Sequence, residues 1–215
     1  MKVKIGIDID NVLAESYPAY LDKFNSRFDA EVKLEQIREF YFLNRYIEEN
    51  SIKHGKEMVD FIDEMVFDEK FQLEIPPIEE AINVINNWVK KGYDIHYVTS
   101  RPVEIRKITI DWLKKHGFWV QKAKVDLFDS EKRYQSDVPY KKEIANKYRI
   151  NVFIEDAIEI ALGMEIPVFL FDRPWNQGKL TKNIIRVYSW QEIEKKMTTV
   201  LGDFGDKNFE CGLQE

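Results

Sequence analysis

Residues 3–13 read VKIGIDIDNVL, and the rest of the chain can be placed around them. The run VKIGIDI over 3–9 is β-branched and short, the pattern of a buried strand, although period-2 alternation also fits it. It stops on two acids, Asp8 and Asp10. Residues i and i+2 of an extended chain point the same way, so both carboxylates can meet at one spot. Open parallel sheets bind their ligands beyond the carboxyl ends of the strands. Like charges so close raise each other's pKa unless a cation intervenes. Two or three converging carboxylates with no His or Cys beside them suit a hard, oxygen-seeking ion such as Mg²⁺. On its own, D-x-D is a short motif, and an acidic turn after a strand is its commoner meaning.

Beyond this strand the period becomes helical. Tyr17, Tyr20, Leu21, Phe24 and Phe28 share one helical face; Leu34, Ile37, Phe40 and Tyr41 begin a second; Met58, Phe61, Ile62, Met65 and Val66 make a third. Residues 14–75 therefore read as three or four helices with no strand, closed by Pro76-Pro77, which cannot continue a helix comfortably. After Pro77 helices and strands alternate: a helix to Gly92, a strand over 93–98, a helix from Pro102 to Gly117, and a weaker strand over 124–128. A helix over 139–149, a strand over 151–154, a helix over 156–163 and a strand over 166–171 follow. A last helix starts at Ser189, which has capping-box spacing to Glu192, and is expected to end near Met197. This alternation predicts an α/β fold with a parallel sheet covered on both faces. The glycines and acids of 198–215 read as a flexible tail.

Composition bounds the function. The 215 residues carry 32 basic and 38 acidic side chains, a net charge of −6, and 14 Phe, 10 Tyr and 5 Trp. That is ample material for a core, and it argues against a generally basic nucleic-acid-binding surface. The single cysteine, Cys211, excludes an intrachain disulfide framework and a Cys-rich zinc site. There is no apolar run near 18 residues and no signal-like N-terminus, so no membrane partner and a cytoplasmic location are expected. Nothing in the sequence sets an oligomeric state.

Two further strand ends carry chemistry. Val98-Thr99-Ser100-Arg101-Pro102 puts hydroxyls and backbone N–H groups where a helix is expected to begin, an anion site or, equally well, an N-cap by Ser100. Phe153-Ile154-Glu155-Asp156 repeats the first design, an apolar strand ending in two acids. Lys141 lies one helix earlier and could neutralise charge there, with its neighbour Lys142 competing for the role. Arg101 and Arg173 could touch a phosphate or a sugar. Phe40, Tyr41, Phe42 and Tyr46 could stack a nucleobase, although core packing is the plainer reading of any one ring. His96 reads as an internal strand residue and His116 as a helix C-terminal one.

The ordered set of Asp8-Ile-Asp10-Asn11-Val12-Leu13, Thr99, a lysine and Glu155-Asp156 resembles the four motifs of the haloacid dehalogenase (HAD) superfamily over residues 3–171. Within it, IDIDNVLAES, VTSRP and FDRPWN are most similar to the 5′(3′)-deoxyribonucleotidase group. The resemblance implies a Rossmann-like parallel sheet with a helical cap inserted after the first strand. The catalytic core would be 1–13 and 77–197, with the cap at 14–76. It also implies roles. Asp8 would be the nucleophile and Asp10 the acid and base. Thr99, with Ser100 and Arg101, would bind phosphate, and Lys141 would offset charge. Asp8, Asp10 and Asp156 would converge on Mg²⁺, with Glu155 reaching it through water. Asn11 stands where the family usually has Gly, and Glu155 where it usually has Asp. The implied function is Mg²⁺-dependent hydrolysis of phosphomonoesters through an aspartyl-phosphate. The expected partner is a small phosphorylated substrate, a (deoxy)nucleoside monophosphate rather than a nucleic-acid polymer. A sugar phosphate or other small ester is the alternative substrate. A phosphoacceptor signalling domain is the alternative class, disfavoured because its acceptor lies on a middle strand and it lacks an insertion of this size.

Overall fold

A computed structural model describes residues 2–39, 41–129 and 136–210. Strand β1 (Lys4–Ile7) is followed by four inserted helices, α1 (Ser16–Phe28), α2 (Phe42–His54), α3 (Lys56–Phe67) and α4 (Glu69–Glu74). Then come α5 (Glu80–Lys90), β2 (Asp94–Pro102), α6 (Arg106–Lys115), β3 (Lys124–Phe128), α7 (Asp137–Tyr148), β4 (Val152–Glu155), α8 (Ile158–Gly163), β5 (Val168–Phe171), β6 (Ile184–Val187) and α9 (Trp190–Glu210). All strand pairings are parallel and the order is β3-β2-β1-β4-β5-β6. The chain winds outward from β1 to β3 and then returns to β4 on β1's other side. The carboxyl ends of β1, β2 and β4 therefore meet at the point where the winding reverses, the place such sheets bind ligands.

The alternation of elements predicted this sheet, and the structure has it with differences of detail. Strand β2 runs on to Pro102, and α6 begins only at Arg106 after a 3₁₀ turn. The helix expected to start at Pro102 is thus displaced, and Ser100 sits inside the strand rather than capping a helix. The face expected from Leu34 is a 3₁₀ turn over Leu34–Gln36, with helix only from Phe42. Just before that turn, Asn25 exchanges side-chain hydrogen bonds with both the N–H and the C=O of Val32. Strand β6 was not foreseen; it is a four-residue edge containing Arg186. Helix α9 continues past the expected end at Met197 to Glu210. Residues 211–215, including Cys211, lie outside the described residues.

Apolar side chains bury both faces of the sheet. One face packs Ile5 and Ile7 under Trp88, Trp112 and Trp190, all fully buried; truncating any of these tryptophans to Ala would cost about 3–5 kcal/mol. The other face packs Val98, Phe153, Val168 and Leu170 under α7 and α8. The inserted helices close their own cluster around Phe24, Ile37, Met58 and Phe61, and it reaches across to Trp175 after β5. The insertion leaves and re-enters the core through adjoining segments: Glu15 N–H donates to the Pro76 carbonyl at 2.8 Å and Ile78 N–H to that of Leu13 at 2.7 Å. Trp190 Nε1 donates to the Val12 carbonyl at 3.0 Å, tying α9 to the same junction. No helix among the described residues is long and apolar enough to cross a membrane.

Candidate active site

The loop after β1 folds back tightly. Asp8 N–H donates to the Ile154 carbonyl, and the N–H groups of Leu13 and Ala14 both donate to the carbonyl of Ile9. Asn11 takes a left-handed conformation, φ 58°, which Asn tolerates better than most residues. This turn leaves the Asp8 carboxylate at the reversal point of the sheet, beside the end of β4.

Asp8, Glu155 and Asp156 are all buried, and one carboxylate oxygen from each lies within 4.8 Å of the others. Lys141 reaches in from α7, with Nζ 3.0 Å from Asp8 Oδ2 and 2.9 Å from Glu155 Oε2. Helix phase turns the two neighbours apart: Lys141 is 1% exposed, whereas Lys142 is 41% exposed and pairs with Glu165. Burial pushes the Asp8 carboxyl well above the usual range, more than Lys141 pulls it down. Burial raises Glu155 to about 7 against the pull of Lys141, and burial with the Asp8 charge raises Asp156 to about 7. Burial would lower the Lys141 ammonium, but Asp8 and Glu155 outweigh it and hold it charged.

The two oxygens of Glu155 are both engaged. Oε2 takes Lys141, and Oε1 accepts from the N–H groups of Asp156 and Ala157. Asp8 Oδ1, by contrast, is buried with no hydrogen-bond partner among the described residues. Asp10, expected among the metal ligands, stands outside the three-carboxylate group. Its oxygens accept from Arg101 Nε at 2.9 Å and Nη2 at 2.7 Å and from the Ser16 hydroxyl. Burial alone would raise Asp10; Arg101 and Ser16 overcome it and hold the carboxyl below its ordinary value.

A cavity of about 320 Å³ adjoins these groups, with Asp8, Asp10, Ser100, Arg101, Lys141 and Glu155 in its sheet side. Its other wall comes from the insertion, through Tyr17, Tyr20, Tyr41, Leu43, Ile62 and Val66. Ser100 Oγ and Arg101 Nη1 are buried there with no hydrogen-bond partner among the described residues. Thr99 is fully buried, is not part of the wall, and accepts from the Arg101 N–H at 3.2 Å. Of the four rings singled out in the sequence, Tyr41 lines the cavity. Phe42 and Tyr46 pack against the insertion's own core, and Phe40 lies outside the described residues. Arg173 is turned to the Asn11 carbonyl at 2.6 Å. His96 is buried in β2, and His116 ends α6, as expected.

Three contributors escaped the sequence reading. Asn11 donates to Asp156 Oδ2, Trp175 Nε1 donates to the same oxygen, and Asn176 Nδ2 donates to the Asp156 carbonyl at 2.6 Å. The signal in principle was Trp175, since a buried indole N–H needs an acceptor.

The family model described as 5′ nucleotidase, deoxy (Pyrimidine), cytosolic type C protein matches residues 1–201. The chain belongs to this nucleotidase family. A 5′(3′)-deoxyribonucleotidase of Bacillus phage SPbeta is 25% identical to this nucleotidase-family chain over 204 residues, spanning 92% of this chain and 99% of that one. A nucleotidase of Clostridium acetobutylicum is 25% identical over 198 residues, spanning 89% and 92%. Among solved structures, a HAD-hydrolase of Bacillus subtilis, crystallised bound to magnesium, superposes with a TM-score of 0.55 at 15% identity, covering 90% of this chain and 97% of that one. The expected HAD-type fold is thereby borne out by the solved structures, and the phosphatase class by the nucleotidase family model and relatives.

Proposed function

We propose that this chain hydrolyses nucleoside monophosphates through a phospho-aspartate on Asp8, assisted by Mg²⁺. The observation that carries the reading is Asp8 itself: one oxygen is fixed by Lys141 and the other is buried with no hydrogen-bond partner among the described residues, beside Asp156. A donor set of carboxylates alone, with raised proton affinities and an unmatched oxygen, fits a hard cation. Asp8 and Asp156 would hold it. Glu155, with both oxygens engaged, acts through its charge and through water. When bound, Mg²⁺ draws charge from the phosphoryl oxygens and keeps Asp8 and Asp156 ionised together. The magnesium-bound HAD-hydrolase supports this choice of ion.

Ser100 Oγ and Arg101 Nη1, both without a hydrogen-bond partner among the described residues, receive the phosphate, and the buried Thr99 hydroxyl supports them. An Asp8 oxygen attacks phosphorus while the bond to the substrate oxygen breaks. That oxygen takes its proton from Asp10. Water then attacks phosphorus and gives a proton to Asp10, the Asp8–phosphorus bond breaks, and inorganic phosphate leaves. Before substrate arrives Asp10 is ionised against Arg101; a phosphate that draws Arg101 to itself lets Asp10 take a proton from solvent, which it gives to the leaving oxygen and regains from the attacking water. Lys141 offsets the charge on Asp8 and the transferring group throughout.

Residues 14–76 act as the lid over the core formed by 1–13 and 77–197, and supply the faces of Tyr17, Tyr20 and Tyr41 against the base. The cytosolic designation of the family supports a cytoplasmic location. The test is hydrolysis of a panel of deoxynucleoside, ribonucleoside and sugar monophosphates, with and without chelator. Deoxynucleotides hydrolysed best, and only with Mg²⁺, is the expected result. Preference for sugar phosphates would replace the substrate and keep the chemistry.

A further inference from the structure

Asp156 Oδ2 accepts two hydrogen bonds from groups far apart in the chain. Asn11 Nδ2 donates at 3.1 Å from the loop after β1, and Trp175 Nε1 at 3.0 Å from the turn after β5. Asn11, Asp156 and Trp175 are all buried. Each donor is itself held. Asn11 Oδ1 accepts from the Tyr17 N–H at 2.8 Å, which fixes the orientation of its amide. The Trp175 ring stacks on Tyr17 with centroids 4.8 Å apart and planes at 25°.

Asn11 occupies a left-handed backbone position, φ 58°. Glycine would sit there without steric cost, so backbone conformation does not account for an asparagine. Its side chain does: one amide joins the start of α1 to Asp156. With two N–H donors on Oδ2 the carboxylate cannot rotate freely, and the group is held where one of its oxygens lies within 4.8 Å of carboxylate oxygens of Asp8 and Glu155.

We propose that Asn11 and Trp175 are positioning residues, a two-donor clamp that presets Asp156 as a metal ligand. The proposal rests on the reading of Asp156 as a ligand. Outer partners of this kind commonly alter metal affinity by about tenfold to a hundredfold when removed. Asn11→Gly keeps the backbone conformation and deletes the amide. Trp175→Phe keeps the stacked ring and deletes the N–H.

The experiment is isothermal titration of the full-length chain and each variant with MgCl₂, alongside thermal melts in chelator. Each variant is expected to bind Mg²⁺ with a dissociation constant about ten to a hundred times larger than that of the unsubstituted chain, while its metal-free melting temperature stays near that of the unsubstituted chain. Both variants folded and binding Mg²⁺ with unchanged affinity would overturn the clamp and leave the metal site standing. An unsubstituted chain that takes up no Mg²⁺ would overturn the metal site and the clamp together. Should Asn11→Gly fail to fold, Trp175→Phe decides alone, because its ring contact is kept.

Discussion

Lys141 Nζ lies 3.0 Å from Asp8 Oδ2, and both side chains are buried. A lysine at that depth is stable only as part of a charge cluster, and here Glu155 completes it at 2.9 Å. The cluster makes each member's removal a different experiment, because the charge left behind differs.

Removing the carboxylate proposed as nucleophile separates chemistry from folding. Asp8→Asn is expected to lower kcat by about a thousandfold or more, since the amide is no nucleophile. Its metal-free form should melt no lower than the parent chain, because burial already raises the Asp8 carboxyl and the ionised form is a cost to folding. Steady-state phosphate release with a melting curve on the same sample checks both.

Removing the cation should do the opposite. Lys141→Met leaves two buried carboxylates without their partner and is expected to destabilise the fold by about 3–5 kcal/mol. Lys142→Met, on the exposed side of α7, should stay within about 0.5 kcal/mol. Urea unfolding of the pair distinguishes them.

The acids predict a pH dependence with a definite sign. Glu155 and Asp156 are both raised to about 7 by burial. A raised carboxyl binds its proton more tightly in the folded than in the unfolded chain, so its contribution is present at low pH and lost as pH rises from about 4.5 to about 7. His96, lowered to about 4 by burial, runs the other way, its contribution being lost as pH falls below about 6.5. The difference between melts with Mg²⁺ and with chelator cancels His96. The stabilisation by Mg²⁺ should therefore grow between about pH 4.5 and 7, as binding no longer has to displace protons. A Mg²⁺ effect that is flat across this range would contradict the metal assignment.

Tyr41 is the ring with which to test base selectivity, being 61% exposed yet part of the cavity wall. Tyr41→Ala is expected to reduce kcat/KM for a deoxynucleoside monophosphate by about tenfold, the lower part of the range for a base-stacking contact. Its effect on a sugar phosphate should be small. Equal losses on both substrates would mean that the ring does not select.

The strand ends were legible because their signals are local: VKIGIDI and FIED each place acids straight after an apolar run. The order of motifs was enough to bring Lys141 to the site, and only helix phase could separate it from Lys142. What stayed hidden was pairing across the chain. Nothing near Asp10 announces that Arg101 will take its carboxylate. Strand β6 was missed because four residues with an arginine inside give little periodicity. The stretch after Leu34 has helical spacing but forms only a 3₁₀ turn over Leu34–Gln36 before helix begins at Phe42.

The place of β1 in the sheet bears on how the chain is made. It precedes every other strand of this sheet in the chain, yet it occupies the interior of the order β3-β2-β1-β4-β5-β6. One edge waits for β2 and the other for β4, which are synthesised after the whole insertion and, for β4, after α7 as well. Through that interval an apolar strand has open hydrogen-bonding edges, the kind of surface that pairs with the wrong neighbour. The intervening helices can gather around Phe24 and Phe61 while they wait. Nascent chains halted between β2 and β4 should accordingly be the aggregation-prone ones, and those extended past Phe171, with both edges of β1 covered, should not.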